Sequence, residues 1–271
     1  MRTHAPTEFA LILLLATVAS GLVYAGGNQE ELTTGPDQSG SRSGRPVVLE
    51  IEAGEHFRHK LQIMPLINVN NPPQMAAWCE TLDGDFIATL FVTDRVAGGN
   101  WRSAPADSTP SEEISRKEAL PVWSRRSGTL SSGDNSTREK NVPDAVSAAT
   151  PKKDFAVRTT IPSKQETVLV YFEVNNSGDF NETYGADARR GTKTYSGGEW
   201  GSGQPALVYA AQISFAERTG GAGEPIALEL VGRSSADGSD GGIRDDLSGI
   251  TTALQIIERI RVVPGGVAVE G

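Results

Sequence analysis

The chain has 271 residues, with 25 Lys and Arg against 34 Asp and Glu, and a formal charge of −9. Such a chain, with no extended Lys/Arg cluster, is repelled by nucleic acid and by anionic lipid, so neither is expected as a partner. The 30 Gly and 15 Pro point to many turns and away from long helices.

The N-terminus reads as a secretory signal. Arg2 and His4 give a weakly positive start, Phe9 to Val23 is apolar and uncharged, and Val23 and Ala25 stand at the −3 and −1 positions of a small-residue cleavage site. The apolar run is shorter than the roughly 20 residues a membrane-spanning helix needs. Cleavage after residue 25 would leave about 245 residues, enough for one large β domain. A periplasmic or extracellular location is therefore expected, with no membrane insertion after cleavage. Residues 26–45 are polar and rich in Gly and Ser, which suits a flexible tether.

Folded structure is expected from Pro46 to the C-terminus as a single domain. Val47, Leu49 and Ile51 alternate with Val48, Glu50 and Glu52, the period of a strand. Leu61 to Met64, Met75 to Thr81 and Phe86 to Thr93 read likewise, and Asp83-Gly84 between the last two is a hairpin signal. Phe155 to Ile161, Thr167 to Val174, Ala206 to Ser214 and Ile226 to Val231 continue the series. A short helix followed by a strand is expected over residues 250–263. Long polar connections run from Gly98 to Ser115, Arg125 to Asn141 and Asn175 to Gln204. Short strands joined by Gly/Pro turns predict an all-β fold, an immunoglobulin-like antiparallel β-sandwich with long loops and one wet face on each sheet.

Several chemistries lack their residues. Beyond the expected cleavage site only His56 and His59 remain, there is no His-Glu-x-x-His, and Cys79 has no partner cysteine. Cys79 reads as a small buried apolar residue or as one half of an intermolecular disulfide. No Gly-x-Ser-x-Gly elbow occurs. Gly201-Ser-Gly203 is followed by Pro205 and a β-like stretch rather than the helix a dinucleotide loop requires. Scattered carboxylates such as Glu173 and Asp179 are the sole hint of a hydrolase. The chain is expected not to be an enzyme.

Two oxygen-rich segments suit calcium, which takes six to eight oxygen ligands on a tightly turned loop. They are Asp237 to Asp246, where Asp237, Asp240 and Asp245 are candidate ligands, and Glu173 to Glu182. Neither keeps a twelve-residue calcium-loop spacing, and Asn, Asp and Gly also populate ordinary turns. Both readings stay open.

Asp144-Ala-Val-Ser-Ala-Ala-Thr150 resembles the flavinylation signal of extracytoplasmic flavoproteins, Asp-x-x-Ser/Thr-Gly-Ala-Thr. The resemblance implies covalent FMN on Thr150, with Asp144 and Ser147 supporting transfer, and two partners, a flavin transferase and a membrane redox protein. Ala148 departs from the pattern. If the usual Gly takes φ > 0, Ala148 would strain the loop by about 1 kcal/mol. The same residues also suit a plain Asp/Ser turn.

A wider likeness accompanies it. Trp78-Cys-Glu80, Ala88 to Thr93, Ala119-Leu-Pro-Val-Trp123, Glu173 to Tyr184, Gln204 to Tyr209 and Asp246 to Ala253 resemble the predicted periplasmic domain-of-unknown-function family 2271. That resemblance implies an exported β domain associated with flavin transfer and membrane redox systems. The expected function is a non-catalytic accessory or carrier in such a system. The alternative is a calcium-stabilised extracellular ligand-binding module.

Overall fold

The computed structural model describes residues 44–64, 67–98, 116–129, 146–148, 153–215 and 223–265, with the backbone alone for 60–64, 67–70, 98 and 146–148. The signal sequence expected at 1–25, nearly all of the tether, Asp144 and Thr150 lie outside the described residues.

The alternation at Val47, Leu49 and Ile51 becomes β1 (Arg45–Ala53). It pairs antiparallel with β7 (Phe155–Ile161) on one side and β12 (Ile257–Pro264) on the other. β10 (Ile226–Ala227) completes this four-stranded sheet in the order β10-β12-β1-β7. Its outer face carries Glu50 and Glu52 opposite Arg259 and Arg261, with Arg261 Nη2 at 3.0 Å from both Glu50 Oε2 and Glu52 Oε1. This sheet has the expected polar face.

The second sheet has six strands in the order β11-β9-β8-β4-β5-β6. They are β4 (Gln74–Glu80), β5 (Phe86–Thr93), β6 (Val146–Ala148), β8 (Thr167–Asn175), β9 (Leu207–Ser214) and β11 (Glu229–Arg233). All pair antiparallel except β6, which runs parallel to β5. Met75, Ala77 and Cys79 of β4, Val168, Val170, Phe172 and Val174 of β8, and Leu207 and Ile213 of β9 face the four-stranded sheet. Leu49, Ile51, Phe155, Ile260 and Val262 meet them from the other side. An all-β sandwich is the result. β2 (His59–Met64) and β3 (Ile67–Asn71) form a separate hairpin.

The expected wet face is absent from the six-stranded sheet. Two short helices, α1 (Asp94–Gly98) and α2 (Pro121–Arg126), cover its outer side. Trp78, Val92 and Val208 pack there against Val96, Leu120, Val122 and Trp123. Every residue of β4 is therefore buried. A central strand covered on both faces loses its alternation, which is why Met75 to Glu80 reads as one continuous apolar run.

The Asp83-Gly84 signal marks a real hairpin, with a three-residue loop. Gly84 donates to Thr81 O at 3.1 Å, and Thr81 donates to Asp85 O at 2.9 Å. Gly84 takes φ 90, the left-handed residue that follows a tight turn in such loops. The stretch expected as one strand over Ile226 to Val231 divides at Leu228. β10 joins β12, whereas β11 joins β9 in the other sheet. Ahead of β12 stands a 3-10 turn, Thr252–Gln255, in place of the expected short helix.

Candidate functional site

One row of register partners crosses the six-stranded sheet at one end. Ala148 pairs with Thr93, Met75 with Val174, Val174 with Leu207, and Leu207 with Arg233. Thr93 Oγ1 accepts the backbone N–H of Met75 at 3.3 Å and so closes the row between β5 and β4. Beyond this row the chain leaves β8 into the connection 176–206 and leaves β6 toward Thr150. Both therefore depart from the same end of the sheet, three inter-strand spacings apart, or about 14 Å.

The connection 176–206 is pinned by polar contacts. Ser177 and Gly178 make a tight turn, flanked by Asn176 and Asp179. Asp179 donates its N–H to Ser202 O at 3.0 Å and accepts the Gln204 N–H on its own carbonyl at 2.9 Å. Gly203, at φ 78, makes this possible, since a Cβ there would lie 2.4 Å from the Asp179 backbone. Asp179 is 3% exposed, and its Oδ1 accepts the Thr252 hydroxyl at 2.6 Å. Gln204 joins the same group, donating to Thr252 Oγ1 and accepting the Thr251 N–H. Asn175 Nδ2 donates to Gln204 O at 2.9 Å, and Asn176 Nδ2 to His56 O at 2.8 Å.

A second cluster lies under α2 on the outer face. Leu120 makes no side-chain cap, so the first N–H groups of this helix need an outside acceptor. Glu173, 0% exposed, supplies it from β8. Burial pushes its carboxyl up to about 8, against the downward pull of the Trp123 and Val122 N–H groups and the Arg126 charge. Nearby, Glu80 takes the Trp78 indole N–H at 2.6 Å and the Arg126 guanidinium at 2.9 and 2.7 Å. Arg126 lies 5.1 Å over the Tyr171 ring, which stacks on Trp78 at 5.2 Å. Burial lowers the Arg126 pKa, but the hydrogen bond and charge of Glu80 outweigh it and hold the group above its ordinary value. Neither Glu173 nor Asp179 is open to a substrate.

The residues singled out in the sequence fall in several places. Ser147 lies in β6, while Asp144 and Thr150 are outside the described residues. Asp237 accepts the Ser239 N–H at 3.0 Å. Asp240 is held by Arg244, at 3.1 Å to Oδ1 and 2.7 Å to Oδ2, and also takes the Gly242 N–H. The Arg244 hydrogen bonds, foremost, hold the Asp240 carboxyl below its usual range. Asp245 is exposed. Among the described residues no three His, Cys, Asp or Glu gather as a metal-holding group, so Asp237, Asp240 and Asp245 are not brought together. His59 Nε2 contacts Gly178 O at 3.1 Å. Cys79 is fully buried, its thiol directed at Ala88 O.

The sequence reading passed over one surface feature. Arg189, Arg190 and Lys193 are exposed on the 176–206 connection, with Arg190 5.9 Å over the Tyr195 ring and Trp200 38% exposed. Three cations within five residues were legible, but the place of Arg190 over the Tyr195 ring was not.

No family model, no curated protein and no solved structure matches the chain. Among the described residues no helix is long and apolar enough to cross a membrane.

Proposed function

We propose that the protein is an exported, non-catalytic β-sandwich that serves as accessory or carrier in an extracytoplasmic, flavin-linked redox system, with FMN held on Thr150. The observation that carries the reading is the edge position of β6. Among the described residues Val146–Ala148 is the last strand in the order of its sheet, hydrogen-bonded to β5 on one side. An edge strand leaves one side of its backbone open to another chain, and Thr150 follows β6 by two residues in the sequence.

The chemistry is a group transfer. The Thr150 hydroxyl attacks the FMN phosphorus of FAD, a new P–O ester bond forms, and the bond to AMP breaks. AMP leaves, the hydroxyl proton passes to a base of the flavin transferase, and no electrons change hands. Arg189, Arg190 and Lys193, exposed on the 176–206 connection with Arg190 over the Tyr195 ring, offer cations and a ring suited to an anionic, aromatic group.

The test is co-expression with an extracytoplasmic flavin transferase, read by intact mass and by colour after denaturation. One FMN added to wild type, and none to Thr150→Val, is the expected result. A colourless product of unmodified mass, beside a control protein labelled in the same cells, would overturn it.

A further inference from the structure

We propose that Asn176 Oδ1 and Asp179 Oδ2, on either side of the Ser177–Gly178 turn, ligate a calcium ion. The starting observation is a concentration of unpaired polar atoms. His56 Nδ1, Gln74 Nε2, Asn175 Oδ1, Asn176 Oδ1 and Asp179 Oδ2 are all buried without a hydrogen-bond partner, and all belong to this one end of the sandwich. Asn175, Asn176 and Asp179 are 2%, 1% and 3% exposed. Buried polar groups in folded proteins are nearly always paired, so such a group of exceptions calls for a bound water or ion.

The unpaired atoms are mostly acceptors. Both asparagine amides have their orientation fixed, because each Nδ2 donates to a backbone carbonyl, Gln204 O and His56 O. Each Oδ1 therefore faces away with nothing to accept. Gln74 stands opposite Asn175 in the β4–β8 register, so its Nε2 can serve Asn175 Oδ1. His56 Nδ1, if protonated, can serve one further oxygen. If the Gln74 amide serves Asn175 Oδ1 across the register, His56 Nδ1 is left against two buried acceptors, Asn176 Oδ1 and Asp179 Oδ2. The Thr252 hydroxyl serves Asp179 Oδ1 alone, so Oδ2 still wants a partner, and a cation shared with Asn176 Oδ1 would supply it.

The turn assembles the pair. Asn176 and Asp179 are its first and fourth residues, which places their Cα atoms within about 7 Å. The turn is held rigid by Ser202 and Gln204 on one side and by His56 and His59 on the other. Carboxylate and amide oxygens select a hard cation, and backbone carbonyls and water complete a calcium shell. With a single carboxylate the site belongs to the weak class, with Kd of about 10⁻⁴–10⁻³ M. It is independent of the flavin reading and differs from the Asp237 to Asp246 segment, where Asp240 is already engaged by Arg244.

The experiment compares the melting temperature and calorimetric binding of the full chain in EGTA, CaCl2 and MgCl2. Wild type should bind one calcium and melt about 3–5 °C higher at a tenfold excess of CaCl2 over Kd. Asp179→Asn, which keeps the shape and removes the charge, should lose both responses. Asp240→Asn should keep them. Asn176→Ala, a second variant for the case that Asp179→Asn does not fold, should weaken binding tenfold or more. No heat and no shift in wild type would mean that ordered water alone serves these oxygens, and would overturn the proposal. An equal response in wild type and Asp179→Asn would place calcium elsewhere and overturn it as well.

Discussion

Glu173 caps a helix that follows it neither in sequence nor in its own sheet. Its Oε2 accepts the backbone N–H of Trp123 at 2.8 Å, and its Oε1 that of Val122 at 3.1 Å. α2 has only six residues, too few to be stable alone. The carboxyl group that anchors it comes from β8, so the covering layer and the sheet are locked together at one buried group.

This gives a pH signature. The Glu173 carboxyl is pushed up to about 8 in the folded protein from an ordinary value of 4.5, so the folded state holds its proton more tightly than the unfolded chain. Its contribution is fully present below about pH 4.5 and is lost as pH rises through about 8. The wild-type melting temperature should carry a falling component across that window. Glu173→Gln should remove the component while costing about 1–3 kcal/mol, because its amide N–H2 faces a backbone N–H that needs an acceptor. Thermal melts of both proteins from pH 5 to 9 check this. A pH slope unchanged by the substitution would rule the titration out.

The Glu80–Arg126 pair should matter more than a surface bridge. Glu80 is 1% exposed and Arg126 29%. Arg126→Ala leaves a buried carboxylate with only the Trp78 indole, and should cost about 2–3 kcal/mol, below the range of a fully enclosed pair. Adding Glu80→Gln removes the stranded charge yet keeps an acceptor for Trp78, so the double variant should be more stable than Arg126→Ala alone. Urea unfolding of the four proteins gives the coupling. A double variant weaker than Arg126→Ala would contradict the arrangement.

Cys79 should be inert. Burial, foremost, raises its thiol to about 12, with a smaller contribution from the Glu80 charge and an opposing one from the Ala88 carbonyl. Its side chain belongs to the main core, beside its register partners Val170 and Ala88. The thiolate is the reactive form, so a thiol reagent should label the protein only on unfolding. The intermolecular disulfide considered for Cys79 is incompatible with this burial. Rapid native-state labelling, or a covalent dimer on non-reducing gels, would show the strand to be open.

Legibility followed the local signals. β1, β5, β7, β8 and β9 could be read because each pairs β-branched or aromatic residues with turn residues at its ends. β3 was missed because Asn68, Asn70 and Asn71 mask a strand that pairs only with β2. α2 was missed because six residues show no helical period and its cap lies fifty residues away. The division at Leu228 has no Gly or Pro to announce it, as the chain changes sheets inside an apolar run. The calcium candidate was legible as a segment, since Glu173 to Glu182 stands out as oxygen-rich, but its ligands were not. Asn175, Asn176 and Asp179 look like turn residues, and only tertiary burial leaves their oxygens unpaired. Glu173 carried one readable sign, a lone carboxylate within the apolar strand Val168 to Val174.

The last prediction concerns Ala148. Sequence reasoning treats it as a source of strain, on the premise that the flavinylation pattern needs a glycine with φ > 0 there. The structure puts Ala148 in β6, paired with Thr93, where the backbone is extended and Ala is no worse than Gly. Ala148→Gly should therefore not raise FMN incorporation. It should instead loosen a three-residue edge strand, since glycine weakens strand interiors by entropy, and lower the melting temperature slightly. The readout is FMN per chain by intact mass after equal co-expression with the transferase, beside wild type and Thr150→Val. Equal labelling of wild type and Ala148→Gly is expected, with none on Thr150→Val. A several-fold rise in Ala148→Gly would mean that the segment must leave its strand to be modified, and that pairing with β5 competes with transfer.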